Sequence, residues 1–377
     1  REWGNLADNL FFWDYPDNCA NGQIPFPNFH ILQRNMQLWA ENHAMGAFLC
    51  GGEAPETALG ALRAYLLARL MWEPDCDVAA RRSEFLNLYY GPAGPYINEF
   101  IELTTRTALN KDAYVDVHDK GEWIDYDFVT AAQEVMKKAL AAADTPERKR
   151  RVRHVNASVE FAAMIAMPKL EVTGDRLVIR YAPAPSLAEY CDTLAEIGVP
   201  EVRPEPYMEV YAPWVKGLEA VRTTESSLVR IENDHNLLWL APEYKGSVVR
   251  WLDKDRGLEL LDSLEDYGKG GHYYWHTMQD WVARAKTPPE FPIADVYAVV
   301  EQGDDYVVVG ATTPDGLAVT RTMRLLPDKA GLEVVLEVKN ATDKPEKPNI
   351  KFHPEFYTFE PGQPEVYGKT AGGWEHL

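Results

Sequence analysis

The stretch 10–53 constrains the fold more tightly than any other part of the chain. Two apolar runs of strand length, Leu-Phe-Phe-Trp-Asp at 10–14 and Gly-Ala-Phe-Leu-Cys at 46–50, flank a segment over 28–43 that places Ile31, Leu32, Met36 and Trp39 at helical spacing. Strand, helix and strand in that order make a parallel pair, and parallel strands with no polar alternation belong to sheets buried on both faces. The apolar residues of both strands are therefore expected to be covered. Trp13-Asp14-Tyr15 and Gly51-Gly52-Glu53 would project from the carboxyl edge, where such sheets place their sites. Two parallel strands do not make a stable sheet alone, and the sequence opens on Arg1 rather than Met, so further strands are expected upstream.

At 377 residues and 46% hydrophobic content, the chain is long enough for two or three cores at about 150 residues each. Its 38 basic and 58 acidic residues leave a net charge of −20. That charge would repel a phosphate backbone or an anionic membrane at long range, so nucleic acid is excluded as a partner class. Eleven Trp, 19 Tyr and 13 Phe exceed what a compact core requires; most would serve as core and sheet residues, and the surplus suits open surfaces on which sugar C–H faces stack. Cys19, Cys50, Cys76 and Cys191 show neither CxxC pairing nor regular spacing, so buried free thiols are expected. No apolar run reaches the roughly 18 residues of a membrane span. No GxSxG, Walker or GxGxxG motif occurs, and no cofactor is implied.

Beyond 53 the period is helical. Pro55-Glu56 opens a helix with Leu59, Leu62, Leu66 and Leu70 on one face, and two more are expected over 77–90, with Phe85, Leu86 and Tyr89 inward, and over 93–109. Residues 110–126 read as a loop whose rings Tyr114, His118, Trp123 and Tyr126 could face a ligand. Helices follow over 127–143 and 146–167, the second carrying the basic run Arg148 to Arg151 with Arg153, expected to be solvated or salt-bridged. The period drops to 2 over 169–181, with hairpin chemistry at Thr173-Gly174-Asp175. A last helix over 187–197 leads to Pro200, Pro204 and Pro206, the expected domain boundary. From 207 on only strands are expected, at 228–232, 237–241, 247–252, 258–261, 272–275, 295–302, 306–310, 317–326, 331–338 and 350–359, which together suit an antiparallel sandwich.

Four pieces in order carry a resemblance to a known family: Trp13-Asp14-Tyr15, Pro25-Phe26-Pro27-Asn28, the 46–53 run, and Leu62-Arg63-Ala64-Tyr65-Leu66-Leu67-Ala68-Arg69-Leu70-Met71-Trp72 with 85–92. Together they resemble the glycoside-hydrolase-like family called domain of unknown function 4838, over about the first half of the chain. The resemblance implies a (β/α)8 TIM barrel of which 1–72 holds the last two βα units, a helical segment with a small hairpin over 73–206, and a reaction on an O-glycosidic bond. It further implies that the catalytic acid pair lies upstream of Arg1, that the substrate is a carbohydrate, and that the protein is secreted or periplasmic. In the later half, Asn236-Leu237-Leu238-Trp239-Leu240, 246–252 and 255–261 resemble the galactose-mutarotase-like sandwich, which places such a β-sandwich over 207–377.

The candidate substrate-binding residues are Trp13, Asp14, Tyr15, Asp17, Asn18 and Glu53. By the resemblance Asp14 and Glu53 hydrogen-bond sugar hydroxyls, although Glu53 follows Gly51-Gly52 where related enzymes have a Trp. Read from residues alone, Asp14 could equally cap its loop and Glu53 the next helix. Period 2 puts Trp13 and Tyr15 on one face, as sugar floor or barrel wall, with at least one expected in the core. Asp17 and Asn18 suit either turn formation or hydroxyl contact. Secondary sugar-binding candidates are His272, Trp275 and His276 in the Gly270 to His276 cluster, with His353 and Glu355. The three histidines are read as edge hydrogen-bonders rather than metal ligands. Two other roles stay open: a non-catalytic carbohydrate-binding protein, and an epimerase-like activity of the sandwich.

Overall fold

The computed structural model describes residues 2–18, 21–50, 57–119, 121, 123–198, 223–261, 279–284, 296–313, 316–341, 348–353, 367–370 and 373–376. The fold is mixed, with helices in the earlier part and antiparallel sheets in the later part. Two units share the chain, one running from the N-terminus to Glu171 and again from Val178, the other holding Val172–Leu177 and most of the chain from Glu225 on. The proline-rich passage expected as a domain boundary lies outside the described residues.

The first unit opens with a short helix, α1 (Glu2–Leu6), then β1 (Leu10–Asp14), α2 (Leu32–Ala40) and β2 (Ala44–Leu49). The two strands pair in parallel, Trp13 opposite Phe48 and Asp14 opposite Leu49. Phe12 stacks on Trp39 of α2 at 4.9 Å, so the helix covers one face of the pair. The other face departs from expectation. Phe11 is 77% exposed and Trp13 67%, and Met45 and Phe48 are exposed with them. An apolar strand is buried on both faces only where a layer packs on each, and no described element supplies the second.

Helices follow in close succession: α3 (Gly60–Trp72), α4 (Val78–Tyr90), a 3-10 turn (Gly91–Ala93), α5 (Gly94–Asn110), α6 (Tyr126–Ala142) and α7 (Pro146–Ile165). Their starts are written in side chains: Asp77 accepts from the Ala80 amide, Asp125 from Phe128 and Thr145 from Arg148. The α3 stripe Leu62, Leu66 and Leu70 meets Ile97, Phe100, Val129, Met136, Val155 and Phe161 in one core. Leu86 turns inward as expected and Tyr90 with it, while Phe85 and Tyr89 stay partly buried, stacked on each other at 4.9 Å with the Arg151 guanidinium 3.9 Å from the Tyr89 ring centre. The basic run is salt-bridged as expected, Arg150 and Arg151 to Glu147 and Arg153 to Glu196.

The 110–126 segment is the expected loop up to Asp125, with Tyr114 and His118 exposed, but two of its rings depart from expectation. Trp123 is 1% exposed and donates its indole N–H to Asp119 at 3.1 Å, which makes it core rather than a ligand-facing ring, and Tyr126 begins α6. A hairpin of β3 (Lys169–Thr173) and β4 (Arg176–Arg180) turns at Gly174, where φ is +62°. Helix α8 (Leu187–Ile197) carries a capping box between Ser186 and Glu189 and ends at Gly198 in the left-handed region. Of the described cysteines Cys76 is buried, Cys50 half-buried and Cys191 exposed, so the burial expected of all four fails for Cys191, which lies on the outer side of α8. The Asn156-Ala157-Ser158 sequon sits inside α7 with Ser158 fully buried, closed to glycosylation in the folded chain. No described helix is long and apolar enough to cross a membrane.

The second unit runs β5 (Glu225–Ser227), β6 (Val229–Glu232), β7 (Asn236–Ala241), β8 (Ser247–Asp253), β9 (Leu258–Glu259), β10 (Gln279–Arg284), β11 (Ala298–Gln302), β12 (Tyr306–Thr312), β13 (Leu317–Leu325), β14 (Leu332–Asn340), β15 (Pro348–His353), β16 (Tyr367–Thr370) and β17 (Gly373–His376). Strands β6 to β9 form one antiparallel sheet and β11 to β14 another, while β10 pairs with β15 and β16 with β17. Expected strands fall on most of these; β5, β10, β16 and β17 went unread, and 272–275 lies outside the described residues.

The two four-stranded sheets share one core, with Ile231, Leu238, Leu240 and Val248 from the first against Val307, Val309, Val319 and Met323 from the second. Asn236, fully buried, ties them. Its Oδ1 accepts from the Trp251 indole at 3.1 Å and the Gly331 amide at 2.9 Å, and its Nδ2 donates to the Lys329 carbonyl at 3.0 Å. Arg321 also turns inward from β13, its guanidinium 5.2 Å from the Tyr297 ring centre and donating to the Gly246 carbonyl. Only glycine fits position 246, since φ is +59° and a Cβ there would lie 2.5 Å from the Arg321 guanidinium.

Candidate functional site

The carboxyl edge of the β1–β2 pair holds the described site residues. Because the strands are parallel, Asp14 and Leu49 end side by side, and the Cys50 amide donates to the Asp14 carbonyl at 2.8 Å. Alternation along β1 sends Phe11, Trp13 and Tyr15 outward. The Phe11 ring lies over Gly46, where a Cβ would sit 2.6 Å from it, so the glycine lets this ring lie flat on the sheet. Trp13 meets Phe48 edge to face at 4.8 Å and Tyr15 at 6.4 Å. Tyr15 is 39% exposed. Neither Trp13 nor Tyr15 enters the core, contrary to the expectation that at least one would.

After Tyr15 the chain turns inward. Pro16, Asp17 and Asn18 are buried, and the turn is held from two sides: Asn28 Nδ2 donates to the Pro16 carbonyl and Asn18 Nδ2 to the Asp119 carbonyl, each at 2.5 Å. The Asn18 Oδ1 accepts from the Asn21 amide at 3.2 Å. Of the two roles open to Asn18, the one it fills in this geometry is turn formation. Asp17 faces the field of Arg63, an α3 guanidinium that is 2% exposed and lies 4.8 Å from the Phe29 ring centre. Burial lowers the Arg63 pKa to about 10, opposed by the Asp17 charge, so Arg63 stays charged at neutral pH.

Buried Asn18 thus braces the loop with buried Asp17 beside it, while Trp13, Tyr15 and Phe48 form an open aromatic strip and half-buried Asp14 lies on the alternate face of β1. Flat aromatic faces stack the C–H side of a sugar ring and a neighbouring carboxylate accepts from its hydroxyls. Phe48, Asn28, Arg63 and Asp119 were not singled out by the sequence reading. Period 2 in β2 could have found Phe48; the other three declare themselves only through contacts distant in sequence.

Glu53, His272, Trp275, His276 and Glu355 lie outside the described residues. His353 ends β15, opposite Gln279 in the ladder. Among the described residues no group of three or more His, Cys, Asp or Glu could hold a metal ion.

Residues 1–102 match the family model described as Domain of unknown function (DUF4838). The likeness to that family is borne out over this span, a shorter one than the half of the chain first expected. No match is found among curated proteins. Among solved structures, the chain is similar to the crystal structure of 4-alpha-glucanotransferase from Thermococcus litoralis, at 12% identity and a TM-score of 0.26. The match covers 86% of this chain and 49% of that one, so the chain spans about half the length of that enzyme.

Proposed function

We propose that the chain is part of a carbohydrate-active protein and that the edge formed by β1 and β2 holds a sugar ring. The observation that carries this reading is the exposed strip of Trp13, Tyr15 and Phe48 at the strand end that also carries Asp14. Exposed indole and phenol faces suit a ligand with one apolar face and a rim of hydroxyls. Glu53, four residues beyond β2 in the sequence, is assigned as a further hydroxyl acceptor in this proposal.

Within that reading the reaction is hydrolysis of an O-glycosidic bond in a glycan or polysaccharide. Such hydrolysis uses two carboxylates about 5–5.5 Å apart for a covalent route or roughly 6.5–9.5 Å apart when water attacks. Asp14 and Glu53 are assigned to holding the substrate, not to that pair. The parallel strands joined by α2 support residues 1–72 as the last two units of a (β/α)8 barrel. The two antiparallel sheets on one core support a mutarotase-like sandwich within 207–377.

A purely binding role rests on the same strip, which needs no acid pair. Titrating the full chain with a panel of oligosaccharides by tryptophan fluorescence tests the common element. Saturable binding is expected, weakened at least about tenfold by Trp13→Ala and less by Asp14→Asn. Binding that survives Trp13→Ala intact, or no sugar bound at all, sinks the reading. Release of aryl alcohol from aryl glycosides separates hydrolysis from binding.

A further inference from the structure

We propose that a second cleft in the first unit, between the turn before α2 and helices α4 and α5, binds a small oxyanion: the carboxylate, phosphate or sulfate group of a single-ring molecule. The cleft has a volume of about 280 Å³ and is lined by His30, Arg82, Glu102, Thr105, Arg106 and Asn110 among others. That lies just under the range of sites for larger small molecules. Arg82 pairs with Glu102 within it and burial favours the neutral His30 ring, which leaves Arg106 as the charge there that no described residue offsets. In a chain of net charge −20, so local a reversal of sign is an electrostatic trap for an anion.

The charges within the cleft do not cancel. Glu102 Oε1 accepts from Arg82 at 3.3 Å and from Asn98 at 2.8 Å, so its charge is already engaged. Arg106, one helical turn on along α5, forms no ion pair with a described residue. The contrast with α7 is instructive, because there Arg148, Arg150, Arg151 and Arg153 are matched by Asp144, Glu147 and Glu196. Thr105 and Asn110 add a hydroxyl and an amide beside the guanidinium, the donors that orient a bound oxyanion. His30 contributes a neutral ring: burial lowers its pKa, against the raising effect of its bond to the Pro27 backbone.

The walls are tied in place. Gln33 Nε2 donates to the carbonyls of Pro74 at 3.1 Å and Cys76 at 2.7 Å, and Gln37 Nε2 donates to Asp75 at 2.9 Å, which fixes α2 to the turn between α3 and α4. The Arg82–Glu102 pair holds α4 to α5.

The site shares no residue with the aromatic strip, so the two proposals fail separately. Calorimetric titration of the full chain at constant ionic strength, with inorganic phosphate, sulfate, glucuronate and uncharged glucose, tests it. At least one oxyanion is expected to bind saturably, and glucose neither to compete with it nor to bind in a way that depends on Arg106. Arg106→Gln weakens that binding about tenfold, the loss of one charge-assisted hydrogen bond, Arg106→Lys weakens it less, and Trp13→Ala leaves it unchanged. A preference for glucuronate assigns the group to an acidic sugar; a preference for phosphate or sulfate assigns it to an esterified ligand. Equal affinity in Arg106→Gln, or binding of none of the three anions, overturns the proposal. Unchanged thermal unfolding of both Arg106 variants shows that the loss is local.

Discussion

Strands β1 and β7 are built from nearly the same material, Leu-Phe-Phe-Trp-Asp in one and Asn-Leu-Leu-Trp-Leu-Ala in the other, yet they end in opposite surroundings. Strand β7 lies between β6 and β8 and sends Leu238 and Leu240 into a core shared with the facing sheet. Strand β1 pairs with β2 and is covered by α2 on one face, and its other face carries Phe11 and Trp13 in the open. Both strands are apolar enough to be buried on either face. What separates them is the number of layers that reach them, a property of distant chain segments. An apolar patch left open in this way marks a place where something binds more often than it marks a defect.

The sharpest way to break that comparison is to truncate one residue of each strand. Leu238→Ala removes a fully buried side chain and is expected to cost about 2–5 kcal/mol, whereas Phe11→Ala is expected to change stability by less than about 0.5 kcal/mol, both read from urea unfolding. Equal losses would mean that Phe11 is covered in solution. The turn that follows Tyr15 is tested through its anchor, Asp119. Burial raises the Asp119 pKa from 3.8 to about 6, against hydrogen bonds from Gly121 and Trp123, with the Asp116 charge adding to the rise. Between about pH 4 and 6 the folded state then holds more protons than the unfolded one. The stability this group contributes is full below about pH 4 and is lost as pH rises through 6, by roughly 1–3 kcal/mol. Asp119→Asn is expected to flatten that slope in unfolding curves taken across the window, and an unchanged slope would assign it to other groups. A smaller loss than that of Leu238→Ala belongs to a purely local device: Ser186→Ala, at the α8 capping box, is expected to cost about 1 kcal/mol in thermal unfolding.

Elements with local signatures were legible in advance. The Leu62–Leu66–Leu70 stripe, the helix starts near residues 77, 146 and 187, and the Gly174 hairpin each draw on interactions within a few residues, and each lies where its sequence places it. Trp123 was misread because nothing local distinguishes a core tryptophan from a ligand-facing one; its burial follows from Asp119 accepting the indole N–H while Asn18, 101 residues away, holds the Asp119 backbone. Of the site, Trp13, Asp14 and Tyr15 could be picked out as the end of an apolar strand. Their partner Phe48 needed the parallel register, and the buried Arg63 beneath Asp17 needed the packing of α3.

By itself, then, the sequence determined element types, most of their limits, the change from helical to strand period and the acidic balance, because periodicity, capping and charge are written residue by residue. Only the tertiary structure decided which apolar faces are covered, that Asn18 braces a loop, and that the Trp13 strip and the Arg106 cleft stay open. Those outcomes depend on which distant segments arrive to pack, and no window of sequence contains both partners.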